Sequence, residues 1–189
     1  HAEFARNKEF TGRFFNEARA VNIVDHPGLV QISDYGQLPD GTAFLVMELL
    51  RGESLAKRLS EAPGKMPIGD VLALGWQIAD TLSAAHEKGI VHRDLKPDNV
   101  MLVSDRHIPS GERCKILDFG LAKLTEASAS AMVKTKSNAV MGTPLYMSPE
   151  QCAGAGGVDA KTDVYALGCM LYEMLTGQPP FIAEGAGQV

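Results

Sequence analysis

The chain has 189 residues, 45% of them hydrophobic and 22% charged, and a net charge of −5. That is enough for one globular domain with a real core; the negative charge argues against a nucleic-acid footprint, and no apolar run is long enough to cross a bilayer. The N-terminus, His1-Ala2-Glu3-Phe4, has no basic-then-apolar signal pattern. Cys114, Cys152 and Cys169 lack metal-ligand spacing. An odd number of cysteines without a signal peptide points to reduced thiols and a cytoplasmic setting, with each thiol expected as a small buried apolar group.

Residues 9–22 read as a helix, because Phe10, Phe14, Ala18 and Val21 recur at helical spacing. His26-Pro27-Gly28 breaks it. Leu29-Val30-Gln31-Ile32 is predicted as a short strand, and Pro39-Asp40-Gly41 as a turn between strands. Ala43 to Leu50 is apolar enough for a buried strand. Residues 70–88 carry the strongest helical pattern, with Val71, Leu74, Ile78, Leu82 and Ala85 on one face. Asp70 is placed to cap its start and Gly89 its end. Val100–Val103 and Cys114–Leu117 read as a hairpin around a polar loop, 104–113. Residues 125–140 are rich in Ser, Thr and Ala, without periodicity. Val164 to Leu175 is apolar almost all round, so a buried helix is expected, ended by Thr176-Gly177-Gln178-Pro179-Pro180. Strands and one helix come first and helices dominate afterwards, which predicts an α+β fold with a small sheet-containing lobe and a larger helical one.

The stretch His92-Arg93-Asp94-Leu95-Lys96-Pro97-Asp98-Asn99 places a carboxylate, an ammonium and an amide in one short loop. Asp118-Phe119-Gly120 follows a strand-like run. Phosphoryl transfer needs this set of groups. One carboxylate orients the attacking hydroxyl, a cation neutralises the γ-phosphate, and an amide with a second carboxylate holds magnesium. Together and in this order, the two motifs resemble the catalytic and metal-binding loops of eukaryotic-type protein kinases. From about residue 9 to 181 the chain resembles a serine/threonine kinase of the bacterial type, whose activation segment ends as Gly142-Thr143-Pro144-Leu145-Tyr146-Met147-Ser148-Pro149-Glu150-Gln151 does here.

The resemblance implies a bilobal fold, with a partial N-lobe over 1–50 and a partial C-lobe over 51–189. It implies ATP and magnesium as cofactors, with manganese able to substitute, and protein substrates, among them a second copy phosphorylated in trans. Asp94 would accept the hydroxyl proton and Lys96 would stabilise the transferred phosphoryl group. Asn99 and Asp118 would hold the metal. Glu17, on the first helix, would pair with the lysine that grips the α- and β-phosphates. Met47-Glu48-Leu49-Leu50 would be gatekeeper and hinge, with backbone groups of Glu48 and Leu50 on the adenine edge and Met101 beneath the ring. Arg93, with Arg13 and Lys123, would receive an activation-loop phosphate. Thr135 and Ser137 are the expected phosphosites, with Thr125, Ser128 and Ser130 as rivals. Thr143 would bond the Asp94/Lys96 pair, and Asp163 would brace the catalytic loop. His92, Phe119, Val21 and Ile32 would stack between the lobes, which makes His92 structural. Glu150 would pair with an arginine from a later helix.

Two family motifs are missing, the glycine-rich G-x-G-x-x-G and the V-A-I-K-like strand. The chain starts at His1 and stops at Val189, before the family's last helices would come. Truncation at both ends is the expectation, and the piece alone should have little activity. The alternative is a pseudokinase that scaffolds partners without catalysis.

Overall fold

A computed structural model describes residues 15, 22–61, 64–119, 145–154 and 158–181. The predicted first helix lies outside this set, except that Phe15 and Asn22 are helical. Two antiparallel strands follow, β1 (Ile32–Gln37) and β2 (Ala43–Met47). Between them the predicted turn closes with the Leu38 N–H donating to the Thr42 carbonyl at 2.9 Å, and Gly41 takes a φ of 88°. Two expectations fail here. Leu29 and Val30 are not strand; Leu29 makes only a parallel bridge to Ile116, because its N–H turns back to the His26 carbonyl at 3.0 Å. Nor is 43–50 a buried strand. It ends at Met47, and Val46, Met47 and Leu49 are exposed, since β1 is the only strand that pairs with β2 among the described residues.

The chain then enters a second sheet of three antiparallel strands, β3 (Gly52–Ser54), β4 (Val100–Ser104) and β5 (Glu112–Ile116). The sequence reading missed β3 and the helix after it, α1 (Leu55–Glu61). The join is tight: a Cβ on Gly52 would stand 1.9 Å from the Leu102 carbonyl oxygen, so only glycine fits. Ser54 Oγ then accepts the Lys57 N–H at 3.1 Å and caps α1. Arg58 of α1 ties both strands down, donating to Glu53 at 2.6 Å and to both Glu112 oxygens at 2.8 and 2.9 Å. The predicted hairpin is β4–β5, paired from Val100↔Ile116 to Ser104↔Glu112.

The long helix α2 spans Ile68–His86, and all five residues of its predicted apolar face are buried. Its ends differ from expectation. Pro67 occupies the N-cap, where its missing N–H costs nothing, and Asp70 sits within the first turn. Glu87 is the C-cap, and Gly89, at a φ of 73°, turns the chain two residues later. A short helix, α3 (Pro149–Cys152), precedes α4 (Ala160–Thr176), which Gly177 ends in the left-handed region at a φ of 82°. α4 is not buried all round. Ala166, Met170 and Met174 join Leu74, Ile78 and Leu82 of α2 in the core, while Val164, Tyr172 and Leu175 face outward. Burial raises the Cys114 thiol to about 12, as expected of a small core residue, and Cys169 is also buried; Cys152 is exposed at the end of α3 and breaks that expectation. None of the described helices is long and apolar enough to cross a membrane.

Candidate active site

The loop 90–99 leaves α2 and ends in a 3₁₀ turn, Pro97–Asn99, that starts β4. β4 and β5 then place the Asp118 segment beside it, and the Leu117 N–H donates to the Asn99 carbonyl at 2.9 Å. The two motifs, which begin at His92 and Asp118, therefore meet through a hairpin. Arg93 and Asp118 have φ of 69° and 56°, and they are the only non-glycine residues with positive φ among those described. Such backbone costs free energy and persists where its surroundings over-determine it.

Asp163 supplies that determination for Arg93. Its side chain is fully buried at the start of α4. Oδ2 accepts the His92 N–H and Oδ1 the Arg93 N–H, each at 2.8 Å. Asp163 thus meets two backbone N–H groups of the loop it was expected to brace. Two further contacts around this loop were not foreseen. His86 Nε2 lies 2.7 Å from Asp163 Oδ2, and Gln151 Nε2 donates to the Arg93 carbonyl at 2.7 Å. His86 could have been found one turn past Leu82 on the same helix face. Nothing local marks Gln151, whose contact spans 58 residues.

His92 is fully buried and lies edge-on to Phe119, with ring centroids 4.6 Å apart. Half of the expected stack is present; Ile32 is half-buried in β1, and Val21 lies outside the described residues. Nδ1 accepts the Asp94 N–H at 3.2 Å, and Nε2 lies 2.8 Å from the Leu117 carbonyl. These partners fix the neutral tautomer with the proton on Nε2. Burial pushes the imidazole below its usual 6.5, against the opposing pull of Asp163, the Leu117 carbonyl, Asp94 and Asp118. The unfolded chain therefore binds a proton that the folded one refuses. The neutral ring's contribution is complete above the unfolded value and is lost as pH falls through 6.5 toward the lower folded value, at up to about 1.4 kcal/mol per pH unit. The gap in urea midpoint between wild type and His92→Gln is expected to shrink from pH 7.5 to 5.5. A constant gap would contradict this assignment.

Asp94 and Lys96 point the same way from the extended loop, as predicted, with Lys96 Nζ donating to Asp94 Oδ2 at 2.8 Å. Asn99 Nδ2 donates to the Asp94 carbonyl at 2.8 Å and to Asp94 Oδ2 at 3.2 Å. The amide nitrogen is spent on Asp94, so the amide oxygen is left as a donor to a cation. The exposed carboxylate of Asp118 is the second oxygen donor in this pair of motifs. Among the described residues no cluster of three or more His, Cys, Asp or Glu could hold a metal. Two hard oxygen ligands fit magnesium, which keeps several waters and takes phosphate oxygens for the rest.

Glu150, beginning α3, accepts from Thr162 Oγ1 at 3.1 Å, and its own N–H with the Ser148 and Thr162 hydroxyls holds its carboxyl below the usual range. Met47 ends β2, and Met101 stands opposite Lys115 in the β4–β5 ladder. Glu48 and Leu50 lie half-buried between the two sheets. Arg93 is half-buried, and its guanidinium has no hydrogen-bond partner among the described residues. Arg13, Glu17, Lys123, Thr135, Ser137 and Thr143 lie outside the described residues.

The family model for the protein kinase domain matches residues 2–188. The chain belongs to the protein kinase family. It is 46% identical over 169 residues to the serine/threonine-protein kinase pkn2 of Myxococcus xanthus, covering 89% of this chain and 19% of that one. It is 39% identical over 189 residues to the serine/threonine-protein kinase PknA of Mycobacterium tuberculosis, covering 98% and 41%. The crystal structure of the M. tuberculosis PknI kinase domain superposes with a TM-score of 0.72 at 28% identity, over all of this chain and 64% of the other. The chain thus spans about a fifth to two fifths of the length of the curated relatives it matches.

Proposed function

We propose that this chain carries the catalytic centre of a serine/threonine protein kinase, which transfers the γ-phosphoryl group of ATP to protein hydroxyls. The observation that carries the reading is the Asp94 carboxylate, held between the Lys96 ammonium at 2.8 Å and the Asn99 amide at 3.2 Å. Asp94 orients the substrate hydroxyl and takes its proton as the oxygen–phosphorus bond forms and the bond to ADP breaks. Lys96 neutralises charge on the moving phosphoryl group. Asn99 and Asp118 would hold magnesium, which would supply positive charge against the phosphates. The backbone of Glu48 and Leu50 receives adenine, with Met101 beneath the ring. The lobes divide at residues 50 and 51. Arg93, with Arg13 and Lys123, receives a phosphate placed on Thr135 or Ser137 by a second copy. Glu17 grips the phosphate-binding lysine and Thr143 steadies the Asp94/Lys96 pair. The scaffold alternative gains no support, because the relatives are named as kinases and Asp94, Lys96, Asn99 and Asp118 are all present.

The test is ATP-dependent incorporation of phosphate by the protein expressed from its complete reading frame. Incorporation at serine or threonine is expected, and its absence with magnesium and ATP in excess would sink the reading. In the same assay, Asn99→Ala is expected to raise the magnesium needed for half-maximal rate by about tenfold or more, since even an outer-shell partner is typically worth 10–100-fold. An unchanged requirement would remove Asn99 from the metal site.

A further inference from the structure

Glu48 interrupts the β1–β2 ladder in an unusual way. Its N–H donates to the Gln31 carbonyl at 3.0 Å, as expected one residue beyond the Ile32↔Met47 pair. In an antiparallel hydrogen-bonded pair the return bond runs from the partner's N–H to the same residue's carbonyl. Here the Gln31 N–H goes instead to the Glu48 side chain, at 3.0 Å from Oε1. The Glu48 main-chain carbonyl is left with no partner among the described residues.

The carboxylate is held in that place from the far side. Lys115 Nζ donates to Glu48 Oε1 at 2.5 Å and to the Leu29 carbonyl at 3.1 Å. The Lys115 side chain is only 12% exposed, so its charge needs a partner, and Glu48 is its only ion-pair partner among the described residues. Burial alone would raise the Glu48 carboxyl, yet the bonds from Lys115 and the Gln31 N–H and the lysine's charge hold it below the usual range. The carboxylate therefore stays charged and stays in the ladder.

We infer that the Glu48 carboxylate, locked by Lys115, takes the ladder bond in place of its own carbonyl, so that this carbonyl is free to read the amino group of adenine. Glu48 and Lys115 are then positioning residues for base selectivity. The inference rests on the kinase reading and deepens it. Adenine presents a donor at position 6 and guanine an acceptor, so a free carbonyl oxygen attracts the first and repels the second. Without the carboxylate, the Gln31 N–H returns to the carbonyl and the distinction fades.

The test uses the protein from its complete reading frame and compares equilibrium binding of fluorescent ATP and GTP analogues, each with magnesium. Wild type is expected to favour ATP. Glu48→Ala and Lys115→Met should weaken ATP by about three- to tenfold, the worth of one hydrogen bond, and leave GTP no weaker, while Glu48→Gln, which keeps an acceptor, should lose less ATP affinity than Glu48→Ala. A merely structural role would weaken both nucleotides alike. Equal losses, or none in Glu48→Gln and Lys115→Met, would overturn the inference while leaving the kinase reading intact. Wild type that binds neither nucleotide would overturn both.

Discussion

Asp94→Asn is expected to lower kcat by about 10²–10⁴-fold or more while leaving ATP affinity within about twofold. The substitution keeps the side chain's shape and removes its ability to take a proton. It also breaks the 2.8 Å ion pair with Lys96, so the ammonium loses the partner that aims it. The Asp94 N–H, bonded to His92 Nδ1, is untouched, and the loop backbone stays in place. Steady-state kinetics beside direct nucleotide binding checks both halves. A fall in ATP affinity matching the fall in kcat would mean that Asp94 builds the pocket rather than performing the chemistry.

Asp163→Ala is expected to cost about 3–5 kcal/mol of stability, a large share of the typical ~5–15 kcal/mol. The carboxylate is fully buried and satisfies the N–H groups of His92 and Arg93 and the His86 ring. Alanine removes every acceptor at once, and an unmet buried donor costs about 1–3 kcal/mol. Arg93 would also lose what holds its left-handed backbone, so phosphoryl transfer should fall with stability. Asp163→Asn keeps one acceptor oxygen and should lose less. Urea unfolding at constant m-value gives the comparison, and a loss below about 1 kcal/mol for the alanine variant would contradict the bracing role.

The apolar face of α2 was legible because one helix repeats it locally, and all five predicted positions are buried. The Asp94, Lys96 and Asn99 cluster was legible for a similar reason. Its members lie within six residues, and extended backbone around Lys96 sends its side chain toward that of Asp94. The element ends were less legible. Pro67 took the cap expected of Asp70, and β3 with α1 went unseen because Gly52-Glu53-Ser54 is too short to show a period. The outward face of α4 escaped because its apolar residues run all round the helix, so composition could not say which side meets α2.

By itself, then, the sequence determined the chemistry on offer: which acid, cation and hard oxygen donors stand in the loop, in what order, and on which kind of element. Only the tertiary structure decided which distant groups hold them. Asp163 reaches His92 across 71 residues, Gln151 reaches Arg93 across 58, and Lys115 reaches Glu48 across 67. Backbone periodicity speaks for neighbours within a turn or a pleat. Contacts of that separation are set by how α4 packs on α2 and how β5 brings Lys115 to Glu48, and no local pattern records either.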